Sequence, residues 1–180
     1  MFQHKIDDEL QLIFLHQAFA QELYDLVDKN RDYLSKWLLF PPLTNSVDDI
    51  KAFIKRSVTA FADQQTMVCG IQQDGNLVGV IGFHKILKSV KKVEIGYWLA
   101  QEHQGNGIMF RACQSMIDYA FNELDVEKIE IRAASKNTAS RSICEKLGFT
   151  LEGIITHCEN LHGHIVDHAV YGLHKNRAQK

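Results

Sequence analysis

The amino-acid sequence predicts a mixed α/β fold in which a twisted, mostly antiparallel sheet carries helices on both faces. Three strand-like segments follow one another in the middle of the chain, and the dipeptide Asp74-Gly75 between the first two is a strong hairpin signal. A strand–helix–strand pattern comes next, and a meander that leads into such a unit is typical of mixed sheets. Because hairpins dominate the first half, the order does not favour a doubly wound nucleotide-binding fold.

The composition is that of one globular domain over residues 1–180, with 46% hydrophobic and 23% charged residues. The net charge of -2 argues against a nucleic-acid partner, because such proteins usually carry a basic surface. No stretch approaches the roughly 20 apolar residues of a membrane span. The four cysteines lack CxxC spacing, so we expect reduced thiols in a cytoplasmic protein.

The first half of the chain begins with a strand, "ELQLIFLH", followed by helical segments. Apolar residues recur at helical spacing from Ala18 to Leu38, with a break near Asn30. After the loop "PPLTNS", the pair Ser46 and Asp49 has the spacing of a helix-capping arrangement, and this helix continues to about residue 63.

The second half begins with the strands "TMVCGIQQ", "NLVGVIGFH" and "KKVEIGYWLA". A long helix follows, starting at Gly105 or close to it, and its apolar residues recur in steps of three and four as one buried stripe. The strand "EKIEIRAA" precedes a short helix that ends at Gly148, a favourable C-terminal cap. "TLEGII" and "IVDHAVYGLH" are the final strands, and Glu159 lies in the segment that joins them.

The turn "QGNG", residues 104–107, opens the long helix with two glycines. The first N–H groups of a helix lack internal partners and carry partial positive charge, and glycine lets a ligand approach the backbone closely. This arrangement favours an anion site suited to a pyrophosphate. A tight strand-to-helix turn that binds nothing is the alternative.

These segments resemble the GNAT acetyltransferase superfamily. "VEIGYWLA" is similar to its core strand, "QGNGI" to its acetyl-CoA pyrophosphate loop, and "NTASRSICEKLGF" to its second motif, while Glu102 stands where the family usually has Gln or Arg. With "WLLFPP", "GVIGFHKI" and "LEGIITHCENLHGHIVDHAVYGL", the sequence resembles the RimJ/RimL branch of ribosomal-protein N-terminal acetyltransferases over about residues 10–173. The resemblance implies a GNAT-like acyl-CoA N-acyltransferase fold, with acetyl-CoA as cosubstrate.

The resemblance also implies which residues hold the cosubstrate. Main-chain amides would bind the pyrophosphate at Gln104, Gly105, Asn106, Gly107 and Ile108. The pantetheine would pair with the preceding strand, where the backbone near Leu99 polarises the thioester carbonyl. Asn137 would hold the pantetheine arm, and its alternative role is that of a turn former.

Acetyl transfer to an amine requires a neutral amine and a proton for the departing thiolate. The resemblance implies Glu159 as the base, acting through water, with Glu94 as the second candidate. A solvated loop carboxylate is the alternative for Glu159, and a solvent-facing or ion-paired carboxylate is the alternative for Glu94. Ser140 would protonate the CoA sulfur, or its hydroxyl would serve only as a helix cap.

The implied function is direct acetyl transfer to a protein N-terminal α-amine, with a ribosomal protein as the acceptor that the branch suggests. Trp37, Leu38 and Phe40 are candidates for the wall of the acceptor groove, although Trp37 and Leu38 could simply form an apolar helix face. Two other functions stay open: acetylation of a small amine (a polyamine, an amino sugar or an antibiotic) and a catalytically silent CoA-binding sensor. Relatives of this family often dimerise, so a homodimer is one possible state, and the sequence does not determine which oligomeric state forms.

A metal site is not predicted. Histidines crowd the C-terminal region, but strand alternation sends neighbouring side chains to opposite faces, and neither CxxC nor HExxH spacing accompanies them.

Overall fold

The computed structural model describes residues 3–175 and contains an eight-stranded sheet. The strands are β1 (Gln3–Lys5), β2 (Leu10–Phe14), β3 (Met67–Gln73), β4 (Asn76–Leu87), β5 (Lys92–Leu99), β6 (Lys128–Ala134), β7 (Thr150–Leu161) and β8 (His164–His174). The helices are α1 (Ala20–Lys29), α2 (Arg31–Leu34), α3 (Val47–Ala62), α4 (Ile108–Glu123) and α5 (Thr138–Lys146). The predicted mixed, mostly antiparallel fold is confirmed.

The strands lie in the order β1-β2-β3-β4-β5-β6-β8-β7, and among these strands of residues 3–175 only β5 and β6 are parallel neighbours. That parallel pairing is short and ends where Ile95 lies opposite Ile131. The strand β5 nevertheless stays paired with β4 as far as Leu99. Residues 96–99 of β5 therefore separate from residues 132–134 of β6, and we call the gap between them the β5–β6 cleft.

Two apolar clusters pack against the two faces of the sheet. One joins the sheet to α4 and includes Ile81 and Met116, both of them buried. The other joins the sheet to α1 and α3 and includes Val80 and Leu23. Successive residues of a strand face opposite sides of the sheet. The neighbours Val80 and Ile81 on β4 therefore pack against different layers of helices.

Several local predictions are confirmed by backbone geometry. The break near Asn30 separates α1 from α2, and its side-chain Nδ2 donates to the carbonyl oxygen of Leu26 at 3.0 Å. The carboxylate of Asp49 accepts the Ser46 backbone N–H at 2.9 Å, which is the predicted capping arrangement of α3. The hairpin turn between β3 and β4 is Asp74-Gly75, with φ angles of 50° and 82°.

The long helix was predicted to start at Gly105 or close to it, and it begins three residues further on. The helix α4 begins at Ile108, and its N-cap Gly107 has a left-handed φ of 71°. Gly105 is also left-handed, with a φ of 79°. A left-handed residue cannot continue a right-handed helix, so both glycines belong to the turn that precedes α4.

The predicted position of Glu159 in a connecting segment is wrong, because it lies within β7 opposite Val166. The strand runs on through a register shift between Ile155 and Glu159. The side chains at positions 150–157 are all exposed, so β7 has no alternation of buried and exposed residues to mark its length. The short strand β1 was not predicted either.

Candidate active site

A groove of about 1210 Å³ is lined by both edges of the β5–β6 cleft. Most of the predicted site residues border it, namely Trp37, Leu38, Phe40, Glu94, Leu99, Gln104, Gly105, Gly107, Ile108, Asn137, Ser140 and Glu159. Asn106 is exposed and lies outside the lining. Residues that are far apart in the sequence therefore meet around one opening in the sheet.

The tip of α4 borders this groove. Gly107 provides no side-chain cap, and the first turn carries no acidic residue. The first N–H groups of α4 therefore have neither an intrahelical nor a capping partner, and they lie at the positive end of the helix dipole. A Cβ added to Gly105 or Gly107 would meet no atom within 4 Å, so the space beside both backbones is open. These features fit the diphosphate of CoA.

The loop before α4 is held to the first helices by three side-chain contacts. Lys29 Nζ lies 2.6 Å from Glu102 Oε1, and this hydrogen bond lowers the pKa of Glu102. The buried Asn30 accepts the backbone N–H of Gln101 through Oδ1 at 2.8 Å. The Gln104 side-chain amide also donates to the hydroxyl of Tyr33. Glu102 thus anchors the loop at the position where Gln or Arg is usual.

The backbone of Leu99 faces the β5–β6 cleft. The next residue, Ala100, donates its N–H to Val78 at the edge shared with β4, at 2.8 Å. Successive peptide groups of a strand point to opposite edges, so the N–H of Leu99 points away from β4 and towards β6. Since β6 has separated at this level, that donor is directed into the cleft.

Ser140 and Asn137 lie at the start of α5, on the other side of the cleft. The side chain of Asn137 accepts the Ser140 backbone N–H at 3.2 Å, so Asn137 is the N-cap. The alternative in which Ser140 only caps the helix is therefore wrong. Its Oγ instead lies 2.9 Å from the hydroxyl of Tyr97.

Tyr97 is a candidate that the sequence did not reveal. Burial raises the pKa of Tyr97 far above its ordinary value, so the phenol stays protonated at neutral pH and can donate to Ser140. Tyr97 lies on β5 and Ser140 on α5, and no spacing rule connects two residues this far apart in the chain. Only the parallel placement of β5 beside β6 brings them together.

Glu159 has a histidine partner that the sequence also did not reveal. The Nε2 of His168, on β8, lies 3.2 Å from Glu159 Oε2, and both side chains are partly buried in the groove lining. The imidazole N–H can donate to this carboxylate oxygen and fix its direction. The solvated-loop alternative for Glu159 is wrong, since the residue is in a strand and hydrogen-bonded.

Glu94, the second candidate base, is involved in ion pairs. Its carboxylate lies 3.4 Å from Lys85 Nζ and 3.9 Å from Arg132 Nε, and its side chain is only 16% exposed. Arg132 in turn contacts the buried Glu130 at 2.8 Å. Glu94 is therefore ion-paired, as one of its two alternatives predicted. Its side chain nevertheless borders the groove.

The segment after α2 also borders the groove. Because α2 ends at Leu34, neither Trp37 nor Leu38 lies on a helix face, and that alternative is wrong. The ring of Phe40 lies 6.2 Å from that of Trp98. The His162 ring, in the turn between β7 and β8, contacts the carbonyl oxygen of Leu38 at 3.0 Å. This contact joins the β7–β8 hairpin to the wall of the groove.

Three of the four cysteines, Cys69, Cys113 and Cys144, are buried and are poor candidates for a nucleophile. All four are free, and burial raises the pKa of Cys69 to about 11 and that of Cys144 to about 12. A thiol that remains protonated at neutral pH is a poor nucleophile.

Residues 3–175 contain neither a candidate metal-binding cluster nor a helix suited to a membrane. This part of the chain has no group of three or more His, Cys, Asp or Glu side chains placed to hold a metal ion. Within the same residues, no helix combines the length and apolar character needed to cross a bilayer.

The sequence matches the family described as "Acetyltransferase (GNAT) domain" over residues 10–150. It is 36% identical over 154 residues to YdaF of Bacillus subtilis (strain 168), a protein provisionally named a ribosomal N-acetyltransferase, with 85% of this chain and 84% of YdaF covered. It is 28% identical over 172 residues to the ribosomal-protein-serine acetyltransferase of Escherichia coli (strain K12), covering 91% and 96%. A spermidine N(1)-acetyltransferase of Vibrio cholerae is 26% identical, covering 82% and 83%.

Solved structures of acetyltransferases have the same fold as this chain. The ribosomal L7/L12 α-N-protein acetyltransferase RimL in complex with coenzyme A superimposes with a TM-score of 0.93 at 25% identity, covering 96% of this chain and 98% of RimL. The microcin C7 self-immunity acetyltransferase MccE in complex with acetyl-CoA and AMP gives a TM-score of 0.91 at 28% identity, with 94% of both chains covered.

Proposed function

Because the chain belongs to the GNAT acetyltransferase family and is an acetyl-CoA-dependent N-acetyltransferase, we propose that its acceptor is the α-amino group of a protein N-terminus, in particular that of a ribosomal protein. The observation that carries this proposal is the groove at the β5–β6 cleft. It is bordered by the tip of α4 and by the Glu159–His168 pair. Two reactants can therefore enter separately and meet at Leu99, which supports direct transfer without an acetylated enzyme.

The base at this site suits an α-amine. An α-amino group has an ordinary pKa of about 7.7–8.0, whereas that of lysine is about 10.4. Deprotonation at pH 7 therefore costs roughly 1 kcal/mol for an N-terminus and about 4.6 kcal/mol for a lysine side chain. A partly buried carboxylate that accepts the proton through a water is sufficient for the former. We assign this role to Glu159, held in position by His168.

Glu94 is less suited to the same role. Lys85 and Arg132 both lie against the same oxygen of the Glu94 carboxylate, so this oxygen is already engaged in ion pairs. We propose that it contributes negative charge beside the groove and does not accept the proton.

The remaining steps are assigned to groups that surround the cleft. When bound, acetyl-CoA supplies the acetyl thioester and a thiolate leaving group. The N–H of Leu99 is directed to polarise the thioester carbonyl. Ser140 Oγ donates a proton to the sulfur, and the neighbouring Tyr97 hydroxyl, 2.9 Å away, can return one to Ser140.

A polyamine acceptor is the second candidate, since a spermidine acetyltransferase is among the relatives. The charges of the groove favour it less. The lining contains three carboxylates, Asp49, Glu94 and Glu159, and three permanent cations, Arg56, Arg132 and Lys146. A polycation would gain more from an excess of carboxylates, whereas an N-terminus brings a single charge.

Turnover of acetyl-CoA with defined acceptors tests the proposal. The panel contains peptides that copy ribosomal-protein N-termini, the same peptides with a blocked α-amine, and spermidine. We expect acetylation of the free peptides only, located at the α-amine by mass spectrometry. Turnover of spermidine without any peptide would replace the proposal by the polyamine function. CoA binding without turnover of any amine would indicate a silent sensor.

A further inference from the structure

A bulge in β4 directs the side chain of His84 into the groove. Phe83 lies opposite Ile95 of β5 and Lys85 lies opposite Glu94, so the strand register skips His84. A bulge of this kind bends its strand and re-aims a side chain. The His84 side chain is exposed, and it borders the groove together with Glu94.

The imidazole of His84 lies over the backbone of Gly96. A Cβ added to Gly96 would collide with Nε2 and Cδ2 of this ring, so a glycine at this position leaves the ring its room. Gly96 is the first residue of β5 beyond the parallel pairing with β6, which ends at Ile95. The ring therefore lies where the β5–β6 cleft begins, and the cleft continues to Leu99.

The ring nitrogens of His84 are free to bind a ligand. Of the three histidines that line the groove, His103 contacts Gln73 Oε1 at 3.1 Å and His168 contacts Glu159 at 3.2 Å. In the part of the chain that the structure describes, no hydrogen bond involves the His84 ring. An unpaired imidazole in a groove can accept a proton from a reactant.

The surroundings of His84 keep its ring neutral. Although the ring is open to the groove, neighbouring groups desolvate it and lower the pKa of His84 below its ordinary 6.5. Glu94 on β5 opposes this shift, and Lys85 on β4 adds to it. Arg132 on β6 lies 3.9 Å from the same Glu94 carboxylate. The imidazole is therefore unprotonated at pH 7 and has a nitrogen lone pair available.

Acetyl transfer requires that two protons leave the acceptor nitrogen. An α-ammonium group carries three N–H protons, and the amide product keeps one. The first proton leaves before attack, to Glu159 through water. The second leaves once the N–C bond has formed, when the nitrogen is positively charged and the former carbonyl oxygen is negatively charged. The C–S bond then breaks, and the thiolate takes the proton of Ser140. These assignments leave the second proton without an acceptor.

We propose that His84 accepts this second proton through a bridging water and releases it to solvent in the open groove. Strand residues rise roughly 3.3 Å each, so Gly96 and Leu99 lie about 10 Å apart along β5. This length accommodates the thioester carbon near Leu99, the attacking nitrogen and one water in sequence. The inference rests on the proposed function, because Glu159 is taken to accept the first proton.

Substitutions at His84 and Gly96 test the inference with an N-terminal peptide as the acceptor. His84→Ala should lower kcat by about 100-fold without changing the CoA affinity measured by calorimetry. Added imidazole should restore part of this rate, because it can enter the vacated space from the groove. Gly96→Ala keeps the imidazole but displaces its ring, and it should lower kcat by about tenfold.

His174→Ala is the matched control, because His174 lies on β8 and does not line the groove. Its kcat should equal that of the wild-type protein, and imidazole should not change it. A wild-type kcat in His84→Ala would overturn the inference.

The pH dependence separates proton acceptance from a structural role. Protonated His84 cannot accept a proton, and the variant lacks this titrating group. From about pH 5.5 to 6.5, log kcat/KM of the wild-type protein should therefore rise more steeply with pH than that of His84→Ala. Equal slopes would overturn the inference and leave the proposed function standing. Failure of the wild-type protein to acetylate any peptide would contradict the proposed function, and this inference with it.

Discussion

His168 Nε2 and Glu159 Oε2 lie 3.2 Å apart on the adjacent strands β8 and β7. The register shift after Ile155 brings Glu159 opposite Val166, two residues before His168 on the partner strand. The two side chains thus share the face of the hairpin that lines the groove. The second of the two register shifts in this largely exposed strand therefore gives the candidate base an oriented partner.

Replacement of Glu159 should remove general-base catalysis and leave cofactor binding intact. We expect Glu159→Gln to lower kcat/KM for an N-terminal peptide by about 100-fold. His168→Gln should cause a smaller loss, and the double variant should resemble Glu159→Gln, since the histidine acts only through the carboxylate. Steady-state kinetics measure all three. Glu152→Gln, a carboxylate of the same strand outside the groove lining, is the control.

Ser140 and Tyr97 should act as one proton-donating unit. Ser140→Ala and Tyr97→Phe are each expected to lower kcat by about 10- to 100-fold, and the double variant should be no worse than the more damaging single one. Tyr119→Phe is the control, since Tyr119 stacks on Phe83 on the α4 side of the sheet. If the rate loss in the double variant equals the product of the two single losses, the two hydroxyls act independently despite their 2.9 Å contact.

The left-handed backbone at Gly107 should affect both stability and cofactor binding. Gly107→Ala places a Cβ at a φ of 71°, which should cost roughly 1–2 kcal/mol of unfolding free energy. Gly75→Ala, at a φ of 82° in the β3–β4 turn, should cost about the same. Only Gly107→Ala should also weaken CoA binding, as measured by calorimetry. Equal CoA affinity in the two variants would show that the tip of α4 does not bind CoA.

Acid should destabilise the protein through His84. Burial lowers the pKa of His84, a shift that Glu94 partly offsets, whereas the unfolded residue has its ordinary pKa of 6.5. Below pH 6.5 the unfolded state therefore binds more protons, and the free energy of unfolding falls until the pH passes the lower pKa of the folded state. Urea titrations from about pH 7.5 to 5.5 should show this fall. His84→Gln should flatten it, whereas the same change at exposed His4 should not.

Local sequence signals predicted much of the fold. The Asp74-Gly75 turn, the capping pair Ser46 and Asp49, and the break at Asn30 each depend on residues close together in the chain, so short-range stereochemistry is enough to reveal them. The start of α4 was misplaced because an apolar stripe marks which face of a helix is buried but not where it begins. That boundary depends on the left-handed conformation of Gly107.

The candidate site was predicted less completely because its contacts are long-range. The second-motif resemblance identified Ser140 on the helix α5, but its partner Tyr97 lies on the strand β5, 43 residues away in the chain. Similarly, β8 lies between β6 and β7 in the sheet, and only that order, with the bulge before Glu159, brings His168 to the carboxylate. Strand order decides which distant side chains meet, and such pairs leave no periodic pattern in a single amino-acid sequence.

The central claim is that main-chain N–H groups at the tip of α4 bind the diphosphate of CoA. The amide ¹⁵N–¹H resonances of Gly105, Gly107 and Ile108, followed while CoA or pantetheine is added, test it most directly. All three should shift on addition of CoA and stay nearly unchanged with pantetheine, which lacks the diphosphate. Resonances at the tip that do not respond to saturating CoA, or that respond equally to pantetheine, would contradict the claim.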